Sequence, residues 1–81
     1  MPLFYFHVCN GTGFVEDEEG TDLADLAAAG EFAVRCARDI MAADVQRGAL
    51  DLSSFIEIVD VDHRLVRTLG FDQAVDLTTR H

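Results

Sequence analysis

The chain has 81 residues, room for one domain near the size at which a lone hydrophobic core becomes marginal. An apolar share of 49% with six Phe and one Pro excludes a disordered chain. Six basic against fifteen acidic side chains leave a net charge of -9, a field that repels phosphate backbones and anionic membranes and attracts a basic protein partner, although solubility alone also accounts for it. Nucleic acid and membrane are therefore not expected as ligands.

From Leu3 to Cys9 the chain reads as a strand. Phe4, Phe6 and Val8 share one face, expected to meet the core, and Leu3, Tyr5, His7 and Cys9 share the other. Asn10-Gly11-Thr12-Gly13 follows, a turn whose residues accept positive φ, and Phe14-Val15 resumes an apolar run as the second strand of a hairpin. Which of Phe14 and Val15 points inward is left open, because loop length sets the register. Glu16-Asp17-Glu18-Glu19-Gly20 crowds like charges beside a glycine, so it is expected in solvent, ending the second strand.

A helix is expected from Leu26 to Arg47, capped by Asp22 or Asp25, with Asp25 favoured. Leu26, Ala29, Ala33, Cys36, Ala37 and Ile40 fall in one stripe, with Glu31, Arg35, Arg38, Ala42 and Gln46 opposite. The stripe is mostly small, so the helix can lie close to a sheet with Phe4 and Phe6 filling the space, and Gly30 suits the same close approach. Glu31 and Arg35 are placed to pair, and Arg47-Gly48 provides a stop.

Phe55-Ile56-Glu57-Ile58-Val59 and Leu65-Val66-Arg67-Thr68-Leu69 are rich in β-formers and form a second hairpin across Asp60-Val61-Asp62-His63. Asp72-Gln73-Ala74-Val75 suits one helical turn behind an Asp72 cap, and residues 78–81 are expected to fray. The expected fold class is α+β over residues 1–81. It has ββαββ order, with one long helix on one face of a four-stranded antiparallel sheet of order 2-1-3-4.

One helix covers one face. The opposite face carries Leu3, Tyr5, His7 and Cys9, and the third strand has apolar residues on both sides. Patches of this kind often mark contacts, so a homodimer is expected, by sheet packing or edge pairing, unless the segment after Leu69 folds over the face.

His7 and Cys9 leave the first strand on one side, but two ligands do not make a metal site. His63 and Cys36 lie on other elements with nothing in the sequence to bring them near. The acidic group Asp17, Glu18, Glu19 and Asp22 misses the spacing of a calcium loop and suits a surface for a basic partner better than a cation cage. Cys36 points toward the expected core, where thiols are inert. No phosphate loop, nucleophile elbow or paired-histidine motif occurs, so no catalytic residue, no metal and no cofactor is assigned. The candidate interaction surface is Tyr5, His7, Cys9, Asp17, Glu18 and Glu19. With two cysteines and no basic-apolar leader pattern, a reducing cytoplasm is the expected compartment.

Phe4-Tyr5-Phe6-His7-Val8, Asp17-Glu18-Glu19-Gly20, Leu23-Ala24-Asp25-Leu26-Ala27-Ala28-Ala29, Ala37-Arg38-Asp39, Ile56-Glu57-Ile58-Val59-Asp60 and Phe71-Asp72-Gln73-Ala74-Val75 together carry a resemblance. The chain resembles a small bacterial family of uncharacterised domains, departing from it at Cys9-Asn10-Gly11 and at Gly30. The resemblance implies a ββαββ domain of unknown function and transfers no catalytic residue. The expected function is a non-enzymatic protein-protein interaction module. An antitoxin-like regulator masking a basic partner, suggested by fold-level analogy and charge, and a metal-dependent or thiol enzyme are the alternatives.

Overall fold

The computed structural model describes residues 2–77, so the fraying expected at residues 78–81 falls outside the described part. Its elements are β1 (Leu3–Asn10), β2 (Gly13–Val15), β3 (Thr21–Asp22), α1 (Leu26–Gln46), β4 (Phe55–Val59), β5 (Leu65–Gly70) and a 3-10 turn at Phe71–Gln73. The sheet runs β2-β1-β4-β5 with antiparallel neighbours, and β3 pairs with β1 beside that path. The four expected strands thus stand in the expected order. The two-residue β3, which contains the alternative cap Asp22, makes a fifth.

The β1–β2 turn forms without positive φ at Gly11 or Gly13. Instead Asn10 Oδ1 accepts from Thr12 N at 2.9 Å and Thr12 Oγ1 at 2.8 Å, an Asx turn that closes the hairpin with a side chain. Val8 pairs with Val15 and Cys9 with Phe14, which settles the open register: Val15 lies on the helix side and Phe14 on the other. Neither is buried, since β2 is three residues long and lies at the sheet margin.

Asp25 caps α1, its side chain accepting from Ala28 N at 2.8 Å, and Gly48 beyond the Arg47 C-cap takes φ +85. The buried stripe is Ala29, Gly30, Ala33, Ala37 and Met41. This is rotated from the expected set: Leu26 is exposed, Cys36 and Ile40 are half-buried, and Met41 is buried in their place. The rotation follows from the β4–β5 side of the sheet, where Phe71 and Ala74 join the core and draw the later helix turns over them. Gly30 serves a side chain more than a close backbone: a Cβ there would collide with the Arg67 guanidinium, which reaches across from β5. Arg47 pairs with Asp44 three residues earlier, whereas the expected Glu31–Arg35 pair is absent from the ion pairs among the described residues.

Phe4, Phe6, Ile56, Ile58 and Leu69 face these small helix residues from the sheet. Phe32 closes the near edge, its ring 4.8 Å from that of Phe6 in a tilted contact. The terminal turn is capped differently from expectation. Gly70, not Asp72, precedes it, and Gln73 Oε1 accepts from Gly70 N at 2.8 Å. A glycine has no side chain to cap with, so the glutamine reaches back to the free backbone N–H. Phe71 N donates to Ser54 O at 2.9 Å and Arg38 Nε to Ala74 O at 2.7 Å, which tie this segment to the helix side.

Ala33 is fully buried under the sheet, so Ala33→Leu should force the two layers apart and cost about 1–3 kcal/mol. The same change at exposed Ala42 should stay within about 0.5 kcal/mol, both read from urea unfolding midpoints.

Candidate interaction surface

Pairing in the sheet decides which side chains meet on the face away from α1. Tyr5 stands opposite Val59, His7 opposite Glu57 and Cys9 opposite Phe55, and across the next ladder Glu57 faces Thr68. All share the side opposite buried Ile56 and Ile58. Val59 is 8% exposed even though it lies outside the main core, so this face packs its own side chains. Leu3, Tyr5, His7, Cys9 and Phe55 are half-buried.

Four rings form a row across the face. Tyr5 and His7 lie 6.3 Å apart between centroids with planes 12° from parallel, and Tyr5 and His63 lie 6.1 Å apart at 22°. His7 and Phe14 meet at 5.4 Å in a tilted arrangement. His63 arrives because the β4–β5 turn is tightly folded. Asp60 Oδ1 accepts from Asp62 N at 2.9 Å and Arg64 N at 3.0 Å, and His63 takes a left-handed φ of 61. A register shift where Ile58 and Val59 meet Arg67 and Leu65 twists the hairpin there. The turn thus places His63 on the ring row beside Tyr5, on the wall of a depression that His7 also lines, and no group of three or more His, Cys, Asp or Glu side chains gathers to hold a metal ion among the described residues.

Asp17 joins the row to the sheet. Between β2 and β3 the chain leaves β1, which would strand Phe6 N without a ladder partner. Asp17 Oδ2 accepts that N–H at 3.0 Å, and Oδ1 accepts Gly20 N at 3.1 Å and Glu19 N at 3.3 Å. Asp17 N in turn donates to His7 Nδ1 at 3.0 Å, which fixes the neutral imidazole as its Nε2–H tautomer. Gly20 completes the loop at φ +75, where a Cβ would lie 3.0 Å from Phe4 O.

The six expected surface residues therefore divide. Tyr5, His7 and Cys9 lie in one line along β1, and Glu18 sits beside Tyr5 and His7 at the rim of a depression of about 310 Å³. Asp17 lines the same depression with its carboxylate occupied by three backbone donors. Glu19 is exposed in the acidic loop but is not among the residues lining the depression. The sequence reading missed Glu16, Glu57, His63 and Phe14. The β1–β4 register puts Glu57 opposite His7 and brings the His63 turn to Tyr5, pairing across 48 residues in the case of Cys9 and Glu57, whereas Phe14 and Glu16 follow from the β1–β2 ladder.

Neither thiol is set up as a nucleophile. Desolvation, a hydrogen bond to Glu57 (Sγ to Oε1, 3.5 Å) and repulsion by that carboxylate push the Cys9 thiol up. Burial and repulsion by Asp39 push up Cys36. Cys36 is half-buried and packs against the margin of the core, on the wall of a hollow that Phe32 and Ile40 also line. A larger hollow of about 590 Å³ lies between the end of α1 and the first hairpin. Its polar groups are engaged with one another: Asn10 with Thr12, Asp44 with Arg47, and Asp51 with Ser53 and Ser54. The Ser53 hydroxyl and N–H hold the Asp51 carboxyl below the usual range.

Asp17→Ala should strand the Phe6 N–H and loosen the acidic loop, costing about 1–3 kcal/mol in urea unfolding with faster hydrogen exchange at Phe6. With Cys36 replaced by Ala, Cys9 should alkylate slowly near neutrality, its rate climbing only above the ordinary thiol range of about 8.5. Glu57→Gln should shift that profile to lower pH, because it removes the charge that opposes the thiolate.

No helix is long and apolar enough to cross a membrane among the described residues. No curated protein and no solved structure matches the chain. Residues 3–72, nearly all of the length over which the strands, helix and ring row are built, match the profile of a domain of unknown function, DUF6894, and the chain belongs to that family.

Proposed function

We propose that the protein is a non-enzymatic interaction module whose contact surface is the sheet face opposite α1. The observation that carries this is the path of the chain after β5. Phe71 and Ala74 turn into the helix-side core, and Arg38 pins Ala74 there, so the described part of the segment that was the alternative cover for the face is used elsewhere. The face itself holds half-buried Leu3, Tyr5, His7, Cys9 and Phe55, an arrangement that gains by further burial at about 25 cal/mol per Å² of apolar surface. Elevated thiols and a carboxylate spent on backbone donors favour binding over chemistry.

Self-association is the second form of the same reading. β5 is an open edge of six residues, Leu65–Gly70, of which Leu65 and Val66 are exposed, and it can pair with its copy. The net charge of -9 opposes it and favours a basic partner.

A photo-crosslinking residue at Thr68, on the open face, should trap a discrete polypeptide in the native host, while the same residue at Arg35 on the outer face of α1 should not. An adduct of twice the chain mass would identify a homodimer, and a heavier or lighter one a different partner. Identical patterns at both positions, or no adduct at either, would remove the interaction reading.

A further inference from the structure

We propose that the depression at the Tyr5–His7–His63 end of the open face receives the guanidinium of an arginine side chain from a partner polypeptide, an assignment that rests on the interaction reading above. Three observations converge on it.

The first is shape. Tyr5 and His7 present nearly parallel rings, 12° apart, and His63 continues the row at 22°. Flat rings aligned in this way offer π faces and edges to a planar cation, and a guanidinium stacks on such rings while keeping its N–H groups free in the plane. The depression of about 310 Å³ stands at the lower end of ligand clefts, a size suited to one side chain and not to a folded surface.

The second is charge at the rim. Glu16 and Glu18 line the depression and are exposed, and neither pairs with a cation among the described residues. Asp17, the third acid there, is held by Phe6, Glu19 and Gly20 N–H groups and shapes the wall. Carboxylates beside stacked rings satisfy the in-plane donors of an arginine, which a fork of two N–H groups reaches more fully than a lysine ammonium.

The third is where the described residues keep their cations. Arg35, Arg38 and Arg47 belong to α1 and its cap, and Arg67 crosses to Gly30 on the helix side. Arg64 shares the turn with His63 and makes no ion pair among the described residues. A second copy would set Glu16, Glu18 and Glu57 against their own counterparts, with -9 meeting -9, so charge complementarity selects a cationic partner over a homodimer at this spot.

The chain contains one tyrosine and no tryptophan, so its intrinsic emission reports on Tyr5 alone. The full chain is titrated with a Gly/Ser peptide carrying paired arginines, and with the same peptide bearing lysine or neutral citrulline in their place. The arginine peptide should change Tyr5 emission saturably and bind about tenfold more tightly than the citrulline peptide, with lysine between them. The combined Glu16→Gln and Glu18→Gln variant, whose substitutions lie in exposed loop positions, should lose most of that preference, and added salt should weaken the wild type. Equal affinity for arginine and citrulline peptides, or a preference unchanged in the glutamine variant, overturns the arginine assignment while leaving the interaction reading to the Thr68 crosslink. A silent Tyr5 signal with all peptides overturns it as well, and an accompanying blank crosslink at Thr68 ends both.

Discussion

The close approach of α1 to the sheet is the constraint from which the rest follows. Ala29, Ala33 and Ala37 are completely buried, and side chains this small let the helix axis come near enough for Phe4, Phe6, Ile56 and Ile58 to fill the layer between them. A chain of this length has one such helix to spend on a sheet with two faces. Every apolar residue on the second face, from Leu3 to Phe55, is exposed to that shortage.

The first face also absorbs the end of the described chain. Phe71 and Ala74 enter the same core as the alanines, and Ser54, buried between strand and turn, accepts the Phe71 N–H through its carbonyl. The result is an asymmetric molecule: its helix side is closed by packing and hydrogen bonds, and its sheet side is dressed only by the side chains it already carries. Val59 shows that this dressing is partial burial and not simple exposure, since it is nearly covered on the face away from the helix.

Acidic residues take two distinct parts in this arrangement. Asp17 is structural, replacing a missing strand with one carboxylate so that β1 can part from β2 and rejoin β3, and through His7 it fixes one member of the ring row. Glu16 and Glu18 are left free by the same loop, because holding Asp17 inward turns its neighbours toward solvent. The net negative charge thus becomes local and directional beside the rings. A binding reading follows from this placement more naturally than a chemical one, given that both thiols are biased toward their protonated forms.

Local chemistry made much of this legible in the sequence. The alternation of Phe4, Phe6 and Val8, the alanine stripe, the Asp25 cap and the Gly48 stop are short-range signals, and each appears where the residues call for it. So are the two hairpins and their order in the sheet, since a helix crossing one face leaves few ways to pair the strands. What the sequence could not disclose depends on contacts between distant residues. The rotation of the stripe toward Met41 required Phe71 and Ala74 to occupy the core, the role of Gly30 required Arg67 to cross from β5, and β3 exists because Asp17 bridges the gap before it. The ring row required register: a shift of one residue between β1 and β4 would have put Glu57 inside and separated His63 from Tyr5. Composition and periodicity determined which face would be left uncovered, and tertiary pairing alone decided which rings and carboxylates stand together on it, because side-chain periodicity is local whereas register is set only when strands far apart in the chain meet.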